Sequence, residues 1–209
     1  MKLQLALDIT DLDKALKIAD EVEKFADIIE IGTVLIYKHG EDVIKKFKER
    51  FPQKTILADA KIADLSKDAV EIFANAGADW ITVLGGTNKN TIHNACSVAH
   101  ELGKKIMLDL IDAHSPGQLA LEAKSLGVDA ILFHRSTTED GQNIFAEQWE
   151  MVKGNTQVPI FITANINKDN VAEFLSIGAS GIVLGRVVTN AANPEEEMAY
   201  FSNIIGKKE

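Results

Sequence analysis

Short apolar runs alternate with amphipathic stretches along the whole of this 209-residue chain. In the first third, mainly apolar runs cover residues 3–8, 28–32 and 55–61. Between them, apolar residues recur at helical spacing, as in residues 13–25 and 41–51. Continuous apolar strands that are separated by amphipathic helices are typical of a parallel sheet covered by helices. The first third of the chain therefore predicts repeated β–α units.

Three later segments resemble one another and give the chain an internal period. They read NAGADWITVLGG, SLGVDAILFHRS and SIGASGIVLGRV, and their glycines Gly77, Gly127 and Gly178 lie 50 and 51 residues apart. Each glycine follows an amphipathic run and precedes a short apolar one, as expected where a helix ends and leads into a strand. A period of 50 residues fits two β–α units of about 25 residues each. Strands for the intervening units are predicted at 105–109 and 159–163.

These patterns give eight predicted strands, the last of them at residues 181–184, with helical segments between them. Eight such units in about 200 residues predict a single-domain (β/α)8 TIM barrel. No Pro-, Gly- or Ser-rich linker divides the chain, so we expect the barrel domain to occupy residues 1–209. The alternative is a doubly wound open sheet, which uses the same alternation of strands and helices.

Ionisable side chains recur where the predicted strands end. In strand order, these ends carry Asp8, Glu30, Asp59 with Lys61, Gly85, Asp109, His134 with Arg135, Thr163, and Gly185 with Arg186. The active sites of such barrels lie at the carboxyl ends of the strands. A single charge there could cap a helix or form a solvated ion pair. Equivalent placement on six of the eight strands instead predicts a shared active site.

The residue types at these ends predict distinct roles. Glu30 and Asp59 offer hard oxygen ligands without nearby His or Cys, which favours Mg²⁺ over zinc. Lys61 is a cation that can neutralise a developing enolate oxygen. His134 can transfer a proton near neutral pH, with a buried core histidine as the alternative interpretation. Asp109 is expected to orient substrate hydroxyls.

The loop after the last strand predicts a phosphate site. Gly185 and Arg186 follow strand eight and precede a helical segment. Barrels of this class often bind phosphate there, through backbone N–H groups and a helix N-terminus. Arg186 would add charge-assisted hydrogen bonds to the phosphate oxygens.

Composition and charge narrow the class of protein. The net charge of −9 argues against a nucleic-acid partner, although a small anion needs only a local positive potential. Cys96 is the single cysteine, so no intrachain disulfide is possible and a reducing compartment is expected. The first residues are too soon interrupted by Asp8 for a signal peptide, and no apolar run approaches the roughly 18 residues of a membrane span. We therefore expect a cytoplasmic protein without a membrane partner.

The motifs at the strand ends resemble those of the orotidine 5′-phosphate decarboxylase suprafamily, whose shared mark is D-x-K-x-x-D after the third strand. Here that stretch reads LADAKIAD, with Asp59, Lys61 and Asp64. The segments LALD, IEIGT, GADWITVLG, FHRS and GR extend the resemblance over essentially the whole chain. Orotidine decarboxylases carry a lysine where this chain has Glu30. The chain is therefore most similar to the branch of 3-hexulose-6-phosphate synthase and 3-keto-L-gulonate-6-phosphate decarboxylase.

The resemblance implies a carbon–carbon lyase that acts on a phosphorylated ketose through an enediolate, with Mg²⁺ held by Glu30 and Asp59. It also implies a homodimer in which Asp64 reaches across the interface into the partner's site. The implied catalytic residues are Lys61, His134, Asp64 and Asp109. The implied substrate-binding residues are Asp8, Arg135, Thr163, Asn165, Gly185 and Arg186.

The resemblance leaves two reactions open. The synthase joins ribulose 5-phosphate and formaldehyde, whereas the decarboxylase converts 3-keto-L-gulonate 6-phosphate into L-xylulose 5-phosphate. Asp109, where decarboxylases have glutamate, and Thr137, where they have a second arginine, favour the synthase. The HRS sequence and Thr163 favour the decarboxylase. We favour the synthase because Asp109 and position 137 touch the step that differs between the two reactions.

One departure from the branch supports a further alternative. Ala164 and Asn165 replace the phosphate-binding Gly-Gly after strand seven, and side chains at this place could reshape the phosphate pocket. The substrate could then be another sugar phosphate. A non-catalytic sugar-phosphate binding barrel also stays open as an alternative.

Overall fold

Residues 1–134 and 141–206 are described in the computed structural model, in which eight parallel strands form a closed barrel. The strands are β1 Lys2–Leu7, β2 Ile28–Ile31, β3 Thr55–Ile62, β4 Trp80–Leu84, β5 Lys105–Asp109, β6 Ala130–His134, β7 Ile160–Thr163 and β8 Gly181–Leu184. Each strand pairs with the next, and β1 also pairs with β8. The predicted TIM barrel is confirmed, and the alternative of an open sheet is wrong.

Helices surround this barrel. In the described part of the chain they are α1 Leu12–Val22, α2 Thr33–His39, α3 Asp42–Arg50, α4 Ser66–Asn75, α5 Lys89–Glu101, α6 Pro116–Leu126, α7 Gly141–Asn155, α8 Val171–Ser176, α9 Arg186–Thr189 and α10 Pro194–Ile204. The helices predicted over 13–25 and 41–51 are observed as α1 and α3. The last helix, α10, packs against α1 and so brings the two ends of the chain together. None of the helices described here is long and apolar enough to cross a membrane.

The core consists of two apolar layers, because strand residues alternate between the two faces of the sheet. The larger layer lies between the strands and the helices. The smaller layer fills the barrel interior with Ala6, Ile28, Leu57, Met107, Ala130, Leu132, Phe161 and Val183. Gly181 belongs to this interior packing, since a Cβ atom there would lie 2.5 Å from the Phe161 ring. The barrel interior is therefore filled by side chains, and the polar side chains lie above this layer, at the carboxyl ends of the strands.

The end of β3 departs from a regular strand. Its register against β4 shifts between Ala58 and Ile62. Lys61 lies in this irregular stretch and has a φ of +46°, a left-handed conformation that residues other than glycine seldom adopt. Such backbone is concentrated at functional sites, where the surrounding structure holds it in place.

Candidate active site

A cavity of about 470 Å³ opens at the carboxyl end of the barrel. Six of the predicted site residues line it, namely Asp8, His134, Thr163, Asn165, Gly185 and Arg186. They come from four different strands and the loops that follow them. Because all eight strands run in the same direction, their carboxyl ends meet at one rim. The sequence-based prediction of a common site at the strand ends thus matches the position of the cavity.

Lys61 lies between two buried carboxylates. Its Nζ atom is 3.1 Å from Asp59 Oδ1 and 2.7 Å from Asp109 Oδ2. Burial lowers the pKa of the Lys61 ammonium, but the two carboxylates outweigh that effect and raise its pKa above the usual range. Lys61 is therefore a permanent cation, suited to stabilising negative charge rather than to accepting a proton.

Asp109 connects Lys61 to His134. His134 Nε2 lies 2.7 Å from Asp109 Oδ1, a contact that becomes an ion pair when the imidazole is protonated. Asp109 Oδ1 also accepts a hydrogen bond from the Ile111 N–H at 2.9 Å. Burial raises the pKa of Asp109, but His134 and Lys61 outweigh it and hold the pKa below the usual value. The carboxylate is fully inaccessible and ionised. Its predicted contact with substrate hydroxyls stays a prediction.

Two threonine hydroxyls that the sequence analysis did not single out hold Asp59. Thr33, at the start of α2, donates to Asp59 Oδ2 at 2.7 Å. Thr82, in β4, donates to Asp59 Oδ1 at 2.9 Å and accepts a hydrogen bond from the Lys61 backbone N–H at 2.9 Å. The available signal for Thr82 was its position in WITVL, where it interrupts an apolar strand. A polar residue inside a buried strand requires a partner.

Glu30 lies beside these groups and is almost fully buried. Gln4 Nε2 donates to Glu30 Oε2 at 2.6 Å, whereas the buried Gln4 Oε1 has no hydrogen-bond partner in the described structure. Burial, followed by the nearby carboxylates of Asp59 and Asp8, raises the pKa of Glu30 well above its usual value. Gln4 was also missed, although it is a polar residue between the apolar Leu3 and Leu5 in the buried part of the first strand.

The carboxylates fit a divalent cation that has few protein ligands. Burial and the Asp59 carboxylate raise the pKa of Asp8 as they do that of Glu30, so negative charge is crowded at this place. A bound cation would relieve the repulsion. Within residues 1–134 and 141–206, no three His, Cys, Asp or Glu side chains form a ligand set. Two carboxylates, Glu30 and Asp59, with water and substrate as further ligands, would be sufficient for Mg²⁺.

The loops after β7 and β8 bring positive charge and polar groups to the cavity. Arg186 begins α9, and its exposed side chain has no ion-pair partner among the described residues. In the loop after β7, the Asn165 carbonyl accepts hydrogen bonds from the side-chain amides of Asn167 and Asn170, at 3.4 and 3.0 Å. An uncommitted guanidinium at the mouth of a cavity is suited to a phosphate group.

Sequence comparison identifies the family. A family model described as "Orotidine 5'-phosphate decarboxylase / HUMPS family" matches residues 1–201. The chain belongs to this family. It is 34% identical to the 3-hexulose-6-phosphate synthase of Bacillus subtilis over 207 residues, which cover 98% of this chain and 99% of that protein. It is 32% identical to the enzyme of the same name from Mycobacterium gastri over 195 residues, 93% and 94% of the two chains.

Solved structures agree with this assignment. The 3-hexulose-6-phosphate synthase of Salmonella typhimurium superposes with a TM-score of 0.89 at 32% identity, over 98% of each chain. The 3-keto-L-gulonate-6-phosphate decarboxylase of Vibrio cholerae superposes with a TM-score of 0.83 at 25% identity, over 98% of this chain and 96% of that one. The predicted suprafamily is confirmed. The prediction of a carbon–carbon lyase is confirmed as well, since members of this family bear the names of both reactions.

Of the predicted site residues that the structure describes, Asp64 is not part of this arrangement. Asp64 is exposed, and its carboxylate accepts a hydrogen bond from the Leu65 backbone N–H at 2.8 Å. Arg135 lies outside the described residues, as does Thr137, one of the positions that bear on synthase against decarboxylase. Their predicted roles stay predictions.

Proposed function

We propose that this protein is a Mg²⁺-dependent aldol lyase of the 3-hexulose-6-phosphate synthase type, which joins ribulose 5-phosphate to formaldehyde. The observation that carries this proposal is the chain of contacts from Asp59 through Lys61 and Asp109 to His134, beside the cavity. It combines a fixed cation with a proton carrier, which is what an enediolate intermediate requires. Curated relatives named for this activity support the choice of substrates.

Arg186 and the backbone around Gly185 would bind the phosphate of the substrate. The guanidinium would supply charge-assisted hydrogen bonds at the cavity mouth, where Gly185 and Val187 also line the cavity. Binding at this place would leave the sugar chain along the rest of the cavity wall, which includes His134 and Thr163. The phosphate thereby fixes the position of the reacting carbon.

His134 would take a proton from C1 of ribulose 5-phosphate. Because Asp109 Oδ1 lies 2.7 Å from Nε2, we assign the proton of the neutral imidazole to Nε2, and Nδ1 would then accept the proton from the substrate. The buried Asp109 carboxylate stabilises the imidazolium that forms, and Lys61 stabilises the negative charge that develops on the substrate oxygens. C1 then forms a bond to the carbon of formaldehyde, and the formaldehyde oxygen receives the proton from His134.

Glu30 and Asp59 would hold Mg²⁺, which when bound supplies positive charge that favours ionisation of the substrate diol. The chain prepares this place by fixing both carboxylates in advance. Gln4 orients Glu30, while Thr33 and Thr82 orient Asp59. Partners of this kind commonly change metal affinity by about 10–100-fold when they are removed.

The decarboxylase reaction is the second candidate, because it passes through a similar enediolate. Thr163 favours it, and this side chain lines the cavity. Here the C1 carboxylate of 3-keto-L-gulonate 6-phosphate would leave C2 as CO₂, and His134 would donate a proton to that carbon, which becomes C1 of L-xylulose 5-phosphate. A non-catalytic barrel is the weakest candidate, because a binding protein gains nothing from a buried chain of charges that is costly to desolvate.

The deciding experiment measures formaldehyde consumption by the purified protein. We expect consumption only when both ribulose 5-phosphate and Mg²⁺ are present, and none after treatment with EDTA. Without consumption, release of CO₂ from 3-keto-L-gulonate 6-phosphate would identify the decarboxylase. Saturable binding of both sugar phosphates without either reaction would contradict the enzymatic proposal.

We also propose a homodimer in which Asp64 completes the partner's site. The support is a set of large apolar side chains on α2, α4 and the loop that carries Asp64, with exposed fractions of 40% for Val34, 78% for Tyr37, 71% for Leu65 and 48% for Ile72. Exposed apolar groups of this size favour burial in an interface.

Leu65→Asp should therefore shift the protein from dimer to monomer in sedimentation velocity and lower its activity. The matched control is Leu121→Asp on α6, at a position that is 57% exposed. A monomeric wild-type protein, or equal effects of the two substitutions, would contradict the dimer.

A further inference from the structure

The side chain of Thr82 is fully buried in the middle of β4, and its hydroxyl makes two hydrogen bonds at once. It accepts from the Lys61 backbone N–H at 2.9 Å and donates to Asp59 Oδ1 at 2.9 Å. The direction of both bonds is fixed by chemistry, because an N–H group can only donate and an ionised carboxylate can only accept. The Thr82 hydroxyl therefore links the backbone of Lys61 to the side chain of Asp59, two residues earlier in the chain.

The bond to Lys61 lies where the sheet is interrupted. The register of β3 against β4 shifts between Ala58 and Ile62, and Lys61 within this stretch has a φ of +46°. A buried N–H group that leaves the regular ladder requires another acceptor. Left-handed backbone at a residue other than glycine persists only when its surroundings hold it. The Thr82 hydroxyl is the acceptor for the Lys61 N–H, and this hydrogen bond helps to hold Lys61 in its left-handed conformation.

The hydrogen bond from Thr82 to Asp59 fixes the other partner of the Lys61–Asp59 ion pair. Asp59 Oδ1, which receives the Thr82 hydroxyl, is also the atom that lies 3.1 Å from Lys61 Nζ. Thr82 thus fixes the carboxylate atom that the ammonium contacts and the backbone from which the ammonium extends. Both ends of one ion pair depend on a single side chain.

We propose that Thr82 is a positioning residue, which sets the direction of the Lys61 ammonium toward the reacting substrate. This inference rests on the proposed function, in which Lys61 stabilises the enediolate. Thr82 itself is fully buried and does not line the cavity, so its effect should appear in turnover rather than in substrate binding. A displacement of about 1 Å in a catalytic group is sufficient to lower turnover about 100-fold.

The test compares Thr82→Val, which keeps the shape but removes the hydroxyl, with Thr82→Ser, which keeps the hydroxyl but removes the methyl group. For Thr82→Val we expect kcat to fall about 100-fold while KM for ribulose 5-phosphate changes less than about threefold. Thr82→Ser should stay within about fivefold of the wild-type kcat. Thermal melting establishes that both variants are folded.

A second measurement does not depend on activity. Amide hydrogen exchange at Lys61, followed by NMR, should be about tenfold faster in Thr82→Val than in the wild type, with Thr82→Ser close to the wild type. The Leu57 amide, in the regular part of β3, serves as the control and should not change. Unchanged Lys61 exchange, or a wild-type kcat in Thr82→Val, would overturn the inference. A wild-type protein without turnover would instead reject the proposed function, and the exchange rates would still decide whether Thr82 holds Lys61.

Discussion

Asp109 shows how a single buried residue organises this site. Its carboxylate is fully inaccessible, yet it stays ionised because Lys61 and His134 lie 2.7 Å from its two oxygens. Removing one member of such a buried group leaves the remaining charges without compensation, which typically costs about 3–5 kcal/mol. Asp109 is therefore expected to matter for stability as well as for catalysis.

Asp109→Asn should destabilise the fold in a manner that depends on pH. The folded pKa of Asp109 is below its ordinary value of 3.8, so its ionised form stabilises the protein above that pH. That contribution is lost as the pH falls through the folded pKa. We expect a loss of about 3 kcal/mol in the free energy of unfolding at pH 7, measured by urea denaturation. The difference between the two proteins should shrink below pH 3.8, and a difference that is independent of pH would contradict the assigned ion pairs.

Sequence alone could predict which charged residues belong to the site, but not which neutral residues hold them. Asp59, Lys61 and His134 follow apolar strands, and that position is visible in the chain itself. Thr82 and Gln4 are isolated polar residues inside buried strands, which signals a requirement for a partner without naming one. The partner depends on the register between strands and on side-chain direction, and both arise only in the folded barrel.

At the scale of elements, β3 shows that a contact predicted from the sequence can form even though the backbone departs from the regular strand that was expected. Period-two alternation predicts that Asp59 and Lys61 share a face, and their side chains do meet at 3.1 Å. However, the strand between them is not regular, since the register shifts and Lys61 is left-handed. The sequence LADAKIAD does not predict this irregularity, because it lacks glycine, the residue that most often adopts left-handed backbone.

The loop after β7 is the element in which this chain is expected to depart from the branch that it resembles. Ala164 and Asn165 stand where the resemblance implies a pair of glycines, and the structure closes the loop with side-chain hydrogen bonds. Asn170 Nδ2 donates to the Asn165 carbonyl at 3.0 Å, and Asn170 Oδ1 accepts from the Asn167 backbone N–H at 2.8 Å. These bonds give the cavity wall a fixed shape without the glycines.

Asn170→Ala should therefore weaken substrate binding more than turnover. Loss of two hydrogen bonds loosens the wall beside the proposed phosphate site, and we expect KM for the sugar phosphate to rise about tenfold, with kcat within about twofold. The matched control is Asn155→Ala, which removes a side-chain bond of 2.7 Å to the Met151 carbonyl on α7. An unchanged KM in Asn170→Ala, or an equal increase in the control, would contradict this account of the loop.

At the scale of the whole molecule, the barrel brings distant parts of the chain to one rim. Asp8 and Arg186 are separated by most of the sequence, yet they line the same cavity. The closed order of strands made this proximity predictable, since β1 pairs with β8. The contribution of a second copy stays a proposal, because within the described residues Asp64 forms no hydrogen bond or ion pair with the other predicted site residues and instead accepts one from the Leu65 backbone N–H.

Proton removal from C1 of a phosphorylated ketose is the central claim, and hydrogen–deuterium exchange tests it without a second substrate. Ribulose 5-phosphate would be incubated in D₂O with the Mg²⁺-loaded protein, and its C1 proton signals would be followed by NMR. We predict enzyme-dependent loss of a C1 signal, abolished by EDTA and slowed about 1000-fold in Lys61→Ala. Lys168→Ala, which removes a surface ion pair of 2.7 Å with Glu197, should exchange at the wild-type rate. Retention of both C1 protons with the folded, Mg²⁺-loaded wild-type protein would contradict the proposed chemistry.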